Sequence, residues 1–275
     1  LPVDSDARLL QIQKFIIKLC KEHRYDLSLI SNTDHTALNF DNPYDRMLEV
    51  KGAKTVPIAT TGHEKLRYTV MLACIADRMK LPPYIVFKRK IMPKMFPKTV
   101  YVRVHPKGWI DEALMLDWLQ TVGAKRPGGL MRKWSVIVLD AFHCHRMPSI
   151  KKMLQHDKTD LAIIPGGMTK MLQPLDVIVN MPMKDALCRK WNTWVLEGEH
   201  TFTADGRMRT LTLQDIADVW LQLDPTIIRK GFLKCSISNA MDGSKDDALW
   251  TDDARDPSND ELGKDDNDLY YLDEN

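Results

Sequence analysis

The sequence predicts a mixed α/β fold, and three observations carry that prediction. Two β-type runs, Tyr68–Ile75 and Pro83–Phe87, are separated by the short polar stretch 76–80, as in a hairpin. A continuous apolar strand, Ser135–Leu139, leads through a helical stretch to a second apolar strand at Leu161–Ile164. Helical periods then return near both ends of the chain, so hairpins give way to alternating strands and helices.

Residues 7–22 place Leu9, Leu10, Ile12, Phe15, Ile16 and Leu19 on one stripe among Lys14, Lys18 and Lys21, the pattern of an amphipathic helix packed on a core. A short strand over Leu27–Asp34 follows, delivering Asp34 at its end. Asn42-Pro43 and Lys51-Gly52 mark loops. Thr99–Val104 alternates as a strand, and residues 110–121 have the helical period with Ile110, Leu114, Trp118 and Val122 on one side. Asp140 closes the apolar strand 135–139, a helix covers residues 148–156, and the loop Pro165–Lys170 feeds Leu172-Gln-Pro-Leu-Asp176. A helix over Val177–Trp194, kinked at Pro182, and two more over Leu211–Leu221 and Pro225–Leu233 complete the order. The expected organisation is an N-terminal helix over 1–26, a main domain over 27–241 and an acidic, disordered tail over 242–275.

The 275 residues are 44% hydrophobic and 28% charged, ordinary for a globular protein. No run approaches the roughly 20 apolar residues of a membrane span, so a membrane role is not expected. The start, Leu1-Pro-Val-Asp, has neither Met nor a signal sequence and reads as a fragment of a longer protein. Five scattered cysteines lack CxxC spacing, which fits a reducing compartment. His143-Cys144-His145 does not build a zinc site, because neighbours in an extended segment face opposite ways and no second ligand pair lies nearby.

Charge is unevenly distributed. Residues 242–275 hold thirteen acids against Lys245, Arg255 and Lys264, a balance of −10 that leaves +12 on the rest of the +2 chain. A basic body suits a polyanion, and an acid run with few apolar residues reads as a solvated tail. Lys88, Arg89, Lys90, Lys94, Lys98, Arg103 and Lys107 lie in one acid-free stretch with Phe87, Phe96, Tyr101 and Trp109 between them. That composition suits phosphate contacts, and equally a solvated hairpin rim over core aromatics.

Asp34, Asp140 and Asp176 carry the chemistry. Cleavage of a phosphodiester needs an activated oxygen nucleophile and relief of charge on the leaving oxygen, which two divalent ions about 3.5–4 Å apart supply. Mg²⁺ and Mn²⁺ prefer oxygen ligands, so a few carboxylates from different elements hold them. If the strands ending at Asp34 and Asp140 are neighbours, their carboxyl ends open into one crevice. Taken singly, each aspartate fits a turn or N-cap residue better than a ligand.

The words around them decide otherwise. Asn32-Thr-Asp34-His-Thr, Lys51-Gly-Ala-Lys-Thr-Val56, Thr60-Thr-Gly-His-Glu-Lys65, Leu81-Pro-Pro83, Val138-Leu-Asp140-Ala-Phe, Ile164-Pro-Gly-Gly167, Leu172-Gln-Pro-Leu-Asp176-Val and Cys235-Ser-Ile-Ser-Asn239-Ala stand in this order. From about residue 30 to 242 the chain thereby resembles the DDE domain of pogo-like transposases in the Tc1/mariner group. The resemblance implies an RNase H-like mixed sheet flanked by helices, two Mg²⁺ or Mn²⁺ ions, and catalytic roles for Asp34, Asp140 and Asp176. His145 matches the family's histidine after the second aspartate and would orient the site, or serve only as a satisfied half-buried side chain.

Departures from the family accompany the match. Asp34-His35-Thr36 stands where Asp-Glu-Thr is usual, His143-Cys144 replaces Arg-Gly, and Met181-Pro-Met-Lys184 replaces Lys-Pro-Phe-Lys. A histidine able to carry positive charge beside the first ligand is expected to weaken the local field for cations. These changes fit a domesticated transposase, kept as a nuclear, chromatin-associated DNA-binding module in transcription control or chromosome segregation. An active transposase or endonuclease and a structural dimerisation module are the alternatives. Asp268-Leu-Tyr-Tyr-Leu272 and Ala248-Leu-Trp250 give the tail short apolar motifs for a partner chromatin protein, although an idle linker fits the same composition.

Overall fold

The computed structural model describes residues 5–23, 25–41, 66–92, 96–127, 133–197 and 212–238. Lys51–Val56, Thr60–Lys65, Lys94 and the acidic tail, all singled out above, lie outside them.

The core is a mixed six-stranded sheet in the order β4-β3-β2-β1-β5-β6. Its strands are β1 (Ile30–Asn39), β2 (Arg67–Ile75), β3 (Tyr84–Lys88), β4 (Tyr101–His105), β5 (Ser135–Leu139) and β6 (Thr159–Ile163). β1, β2 and β3 form an antiparallel meander, while β4 joins β3 and β5 joins β1 in parallel. The anticipated hairpin is β2–β3, turned through Asp77–Lys80. β5 and β6 pair in parallel because the connection between them contains the helix α3 (Pro148–His156), which has proline in its first turn.

Two hydrophobic clusters cover the two faces, as period-2 alternation requires. One face carries Val70, Leu72, Cys74, Val136 and Val138 against α1 (Ser5–His23), the helix pair α6 (Leu213–Gln222) and α7 (Pro225–Lys234), and α5 (Asn180–Glu197). The other carries Met71, Ala73, Ile137 and Leu139 against α2 (Glu112–Thr121) and α3. In α1, Ile12, Ile16 and Leu19 are buried, whereas Leu10 and Phe15 of the same predicted stripe are exposed. The buried side of α2 is Met115, Trp118, Leu119 and Val122, a rotation from the expected stripe that leaves Leu114 half-buried. Asp111 caps α2 by accepting from Leu114 N.

Two elements differ from the sequence reading in ways that matter for the site. β1 does not end at Asp34 but runs to Asn39, because β2 pairs with it over the whole length Ser31–Asn39. After the short helix α4 (Thr169–Leu172), the chain enters a π-helical turn over Leu175–Val179 that passes directly into α5. The irregularity therefore lies before Pro182, where Asn180 N–H reaches back five residues to the Leu175 carbonyl.

Candidate active site

The site begins where β1 outruns β5. Their parallel register stops at Asn32↔Val138, and Asp34 and Asp140 each lie two residues beyond that pair. They are thus level at the notch that the shorter strand leaves. A buried amide network holds the notch together: Asn32 Nδ2 donates to the Val138 carbonyl at 2.9 Å and to Gln173 Oε1 at 3.0 Å. Gln173 Nε2 donates to the Thr33 carbonyl at 3.1 Å, and Leu175 N donates to Asn32 Oδ1 at 3.2 Å. Asn32 and Gln173 are both fully buried, so every polar group of this tether needs its partner. The tether pins segment 173–175 to the sheet and delivers Asp176 to the face that Asp34 occupies.

There the two carboxyls meet one amide. Asn180 Nδ2 donates to Asp34 Oδ2 at 2.8 Å and to Asp176 Oδ1 at 2.9 Å. Burial, and then the charge of Asp176, push the Asp34 carboxyl well above its ordinary 3.8, with the Asn180 hydrogen bond opposing. Desolvation raises Asp176 as well, against hydrogen bonds from Asp34 and Asn180. Burial and mutual charge thus hold both carboxyls above their ordinary value.

Asp140 has a different partner. Its Oδ1 lies 2.7 Å from Nδ1 of His145, a buried residue of the 3-10 turn His143–Arg146. Burial would raise this carboxyl, but the hydrogen bond and charge of His145 hold it below its ordinary value. His35 follows Asp34 in the strand and so points to the opposite face, where its ring centroid is 4.9 Å from that of His145 and 5.6 Å from that of Phe142. Burial, and then His145, lower His35 to about 3. His35 is thus uncharged at neutral pH and on the far face from the Asp34 carboxyl, which corrects the expectation that it weakens the field there as a cation.

The charge of Asp140 raises both Asp34 and Asp176, so the three carboxyls share one electrostatic environment. Among the described residues, however, no set of three His, Cys, Asp or Glu side chains is placed to hold a metal ion. Asp34 and Asp176 gather on Asn180, while Asp140 Oδ1 is engaged by His145.

The sequence pattern of the DDE superfamily endonuclease family matches residues 65–232. The chain belongs to this family. It is a pogo-like member of the Tc1/mariner group, 34% identical over 270 residues to human pogo transposable element with KRAB domain, a match covering 96% of the chain and 44% of the relative. The mouse protein of that name is also 34% identical, over 90% of the chain and 41% of its own length. Human pogo transposable element with ZNF domain is 25% identical over 81% of the chain and 16% of its own length. The chain spans less than half the length of each of these relatives. Among solved structures, the Mos1 transposase paired-end complex with left transposon end aligns with a TM-score of 0.57 at 11% identity, over 86% of this chain and 60% of that one. The Mos1 mariner paired end complex with Mn aligns at 0.56 and 12% identity, with the same coverage. The fold is RNase H-like.

Within this DDE domain the donor set suits a hard divalent cation. Three carboxyls supply oxygens, and Asn180, 8% exposed, has its Oδ1 buried with no hydrogen-bond partner among the described residues. Asp140, His145, Asp176 and Asn180 lie inside the matched segment, whereas Asp34 precedes it and owes its placement here to strand register.

The basic stretch divides. Lys88, Arg89, Lys90, Lys98 and Lys107 are exposed along the β3–β4 end of the sheet. Arg103 is not available in the same way: Nε lies 2.8 Å from Asp117 Oδ2, and Nη2 donates to Asp117 Oδ1 at 3.0 Å. Of the aromatics, Phe87 is buried and Tyr101 half-buried under Lys125, while Phe96 and Trp109 are exposed.

Asn180, Asn32 and Gln173 are site residues that sequence reasoning missed. Asn180 carried a signal, standing four residues after Asp176 on what reads as one helical face. Asn32 and Gln173 lay inside the family phrases, but nothing local showed that they bond each other across 141 positions.

Proposed function

We propose that this DDE domain binds DNA and holds divalent metal at Asp34, Asp140 and Asp176 within a nuclear, chromatin-associated protein, serving transcription control or chromosome segregation without transposition. What supports the reading is the bridging of Asp34 and Asp176 by one amide at the β1–β5 notch, with Asp140 level with Asp34 in register and near enough for its charge to raise both. Mg²⁺ or Mn²⁺ held there supplies charge relief at a bound phosphate. Asp34 and Asp176 offer oxygens from one face of the sheet and Asp140 from its rim. His145 sets the rotamer of Asp140 through Nδ1, and the Asn32–Gln173 tether fixes the separation of β1, β5 and the π-turn. The exposed lysines and Arg89 on the β3–β4 end provide sequence-independent contacts to the DNA backbone.

The departures at His35, His143-Cys144 and Met181-Pro-Met-Lys184 support retention for binding, and the relatives' names describe pogo elements combined with other domains. Sequence-specific reading belongs to parts of the whole protein outside this chain. The acidic tail is a candidate docking segment for nuclear partner proteins, and a homodimer is a further candidate state, to be measured by sedimentation.

A second reading, an active Mg²⁺- or Mn²⁺-dependent endonuclease or transposase, is favoured by the retention of all three aspartates. Incubating supercoiled plasmid with the purified chain and Mn²⁺ separates the two. Salt-dependent binding without nicking is expected. Nicking that disappears in Asp140→Ala replaces the first reading with the second. Fractionation of cells expressing the whole protein tests its place in the cell, and recovery outside the nuclear, salt-extractable fraction argues against the chromatin role.

A further inference from the structure

We infer that Asn180 is a fourth group of the candidate metal site, bridging Asp34 and Asp176 through its amide nitrogen when no cation is bound and turning its Oδ1 to the cation when one is. This rests on the proposed metal-holding reading and assigns a role that the three aspartates alone do not cover.

Asn180 stands at the first position of α5, where the π-turn fixes its backbone through the Asn180 N to Leu175 O hydrogen bond. From there one NH₂ group reaches both carboxyls, at 2.8 Å and 2.9 Å. Two carboxyls that share an amide donor are close enough to repel, and the two N–H protons relieve them together with a hydrogen bond between the carboxyls themselves. A divalent cation placed between the same oxygens takes over that relief. The N–H donors then point at positive charge, which no hydrogen-bond donor tolerates.

The other end of the amide answers this difficulty. Asn180 Oδ1 is buried without a hydrogen-bond partner among the described residues, in a side chain only 8% exposed. An amide is nearly symmetric in shape, so a half-turn about its last torsion exchanges Nδ2 and Oδ1 without repacking. The exchange presents a neutral oxygen of the kind that Mg²⁺ and Mn²⁺ accept alongside carboxylates. It brings Oδ1, unpartnered where it now lies, to the carboxyls and takes Nδ2 away from them.

The test measures Mn²⁺ binding to the purified chain by isothermal titration, with melting temperature in EDTA as a second readout. The variants are Asn180→Ala, Asn180→Asp and Asp176→Asn. Asn180→Ala is expected to weaken Mn²⁺ binding by about 10–100-fold, the usual consequence of removing a group that orients metal ligands. Asn180→Asp keeps the shape and offers oxygen only. It should melt lower than wild type in EDTA, where a third acid joins an unbridged pair, and bind Mn²⁺ at least as tightly as wild type. Should Asn180→Ala fail to fold, Asn180→Asp decides: Mn²⁺ binding weaker than wild type overturns the inference. An unchanged affinity in Asn180→Ala, with binding lost in Asp176→Asn, overturns the role of Asn180 and leaves the metal-holding reading intact. No Mn²⁺ uptake by the wild type overturns both.

Discussion

His145 Nδ1 lies 2.7 Å from Asp140 Oδ1, so the carboxyl that follows β5 is held by a buried histidine. Asp140 Oδ1 also accepts from the Phe142 backbone N–H at 3.2 Å. Replacing His145 with Ala removes the stronger donor and opens space in a buried position. A loss of about 1–3 kcal/mol is expected in urea denaturation. Asn in the same place, able to donate to the carboxyl, should recover part of it. No loss in His145→Ala would show that the histidine does not hold Asp140.

The Asn32 tether predicts a larger effect from a residue remote from the surface. Asn32→Leu is close in volume but removes the side-chain partner of Gln173 Oε1, the Val138 carbonyl and Leu175 N–H. Buried groups deprived of partners cost about 1–3 kcal/mol each, so a loss of several kcal/mol is expected. Denaturation midpoints at constant slope measure it, and a near-wild-type midpoint refutes the tether.

Gly231 tests how α7 supports the π-turn. A methyl group there would stand 2.5 Å from Ile178 Cγ2 and 3.2 Å from the Pro174 carbonyl. Gly231→Ala must push α7 away from the turn that carries Asp176, at a cost of about 1–3 kcal/mol. A drop in melting temperature checks this, and an Ala variant as stable as wild type would mean the two elements separate freely.

The basic stretch predicts a split between neighbours. Replacing Lys88, Arg89 and Lys90 together with Ala should lower DNA affinity and flatten its dependence on salt, by up to about 0.9 log unit of slope for each phosphate no longer neutralised. Arg103→Ala should instead leave the slope unchanged and cost about 1 kcal/mol of stability, because its guanidinium is engaged with Asp117. A fall in slope for Arg103→Ala would put it back among the residues that bind DNA.

Thiol chemistry gives a pH prediction. Burial pushes Cys144 and Cys235 from the ordinary 9.0 up to about 12, and raises Cys74 as well. The native protein should therefore alkylate slowly at these three positions at pH 8, and faster at half-exposed Cys188. The folded state keeps the thiols neutral, so their contribution to stability is intact below pH 9 and is lost as pH rises from 9 towards 12. Rapid labelling of Cys235 in the native protein at pH 8 would contradict the burial.

Much of the fold was legible because local patterns agreed with the global arrangement. The run Ser135–Leu139, unbroken in apolar residues after its first position, could only be a strand covered on both faces, and all five of its residues are buried. Asp34 was harder to read. Its strand looked finished at the aspartate because the polar Thr33-Asp34-His35-Thr36 sequence breaks the apolar pattern, yet β2 pairs straight through it. Arg103 misled for a related reason: Asp117, fourteen positions away in sequence, lies outside the acid-free stretch but inside its space.

Sequence alone determined the α/β alternation and the basic body with its acidic end, and it singled out the three aspartates, since periodicity, charge and short phrases are properties of neighbouring residues. Tertiary structure decided what those aspartates touch. Register between β1 and β5 made Asp34 and Asp140 level, alternation along β1 sent His35 to the far face, and the π-turn brought Asn180 between Asp34 and Asp176. Interactions between elements more than a hundred residues apart depend on how sheets and helices pack, and no local pattern in the chain encodes them.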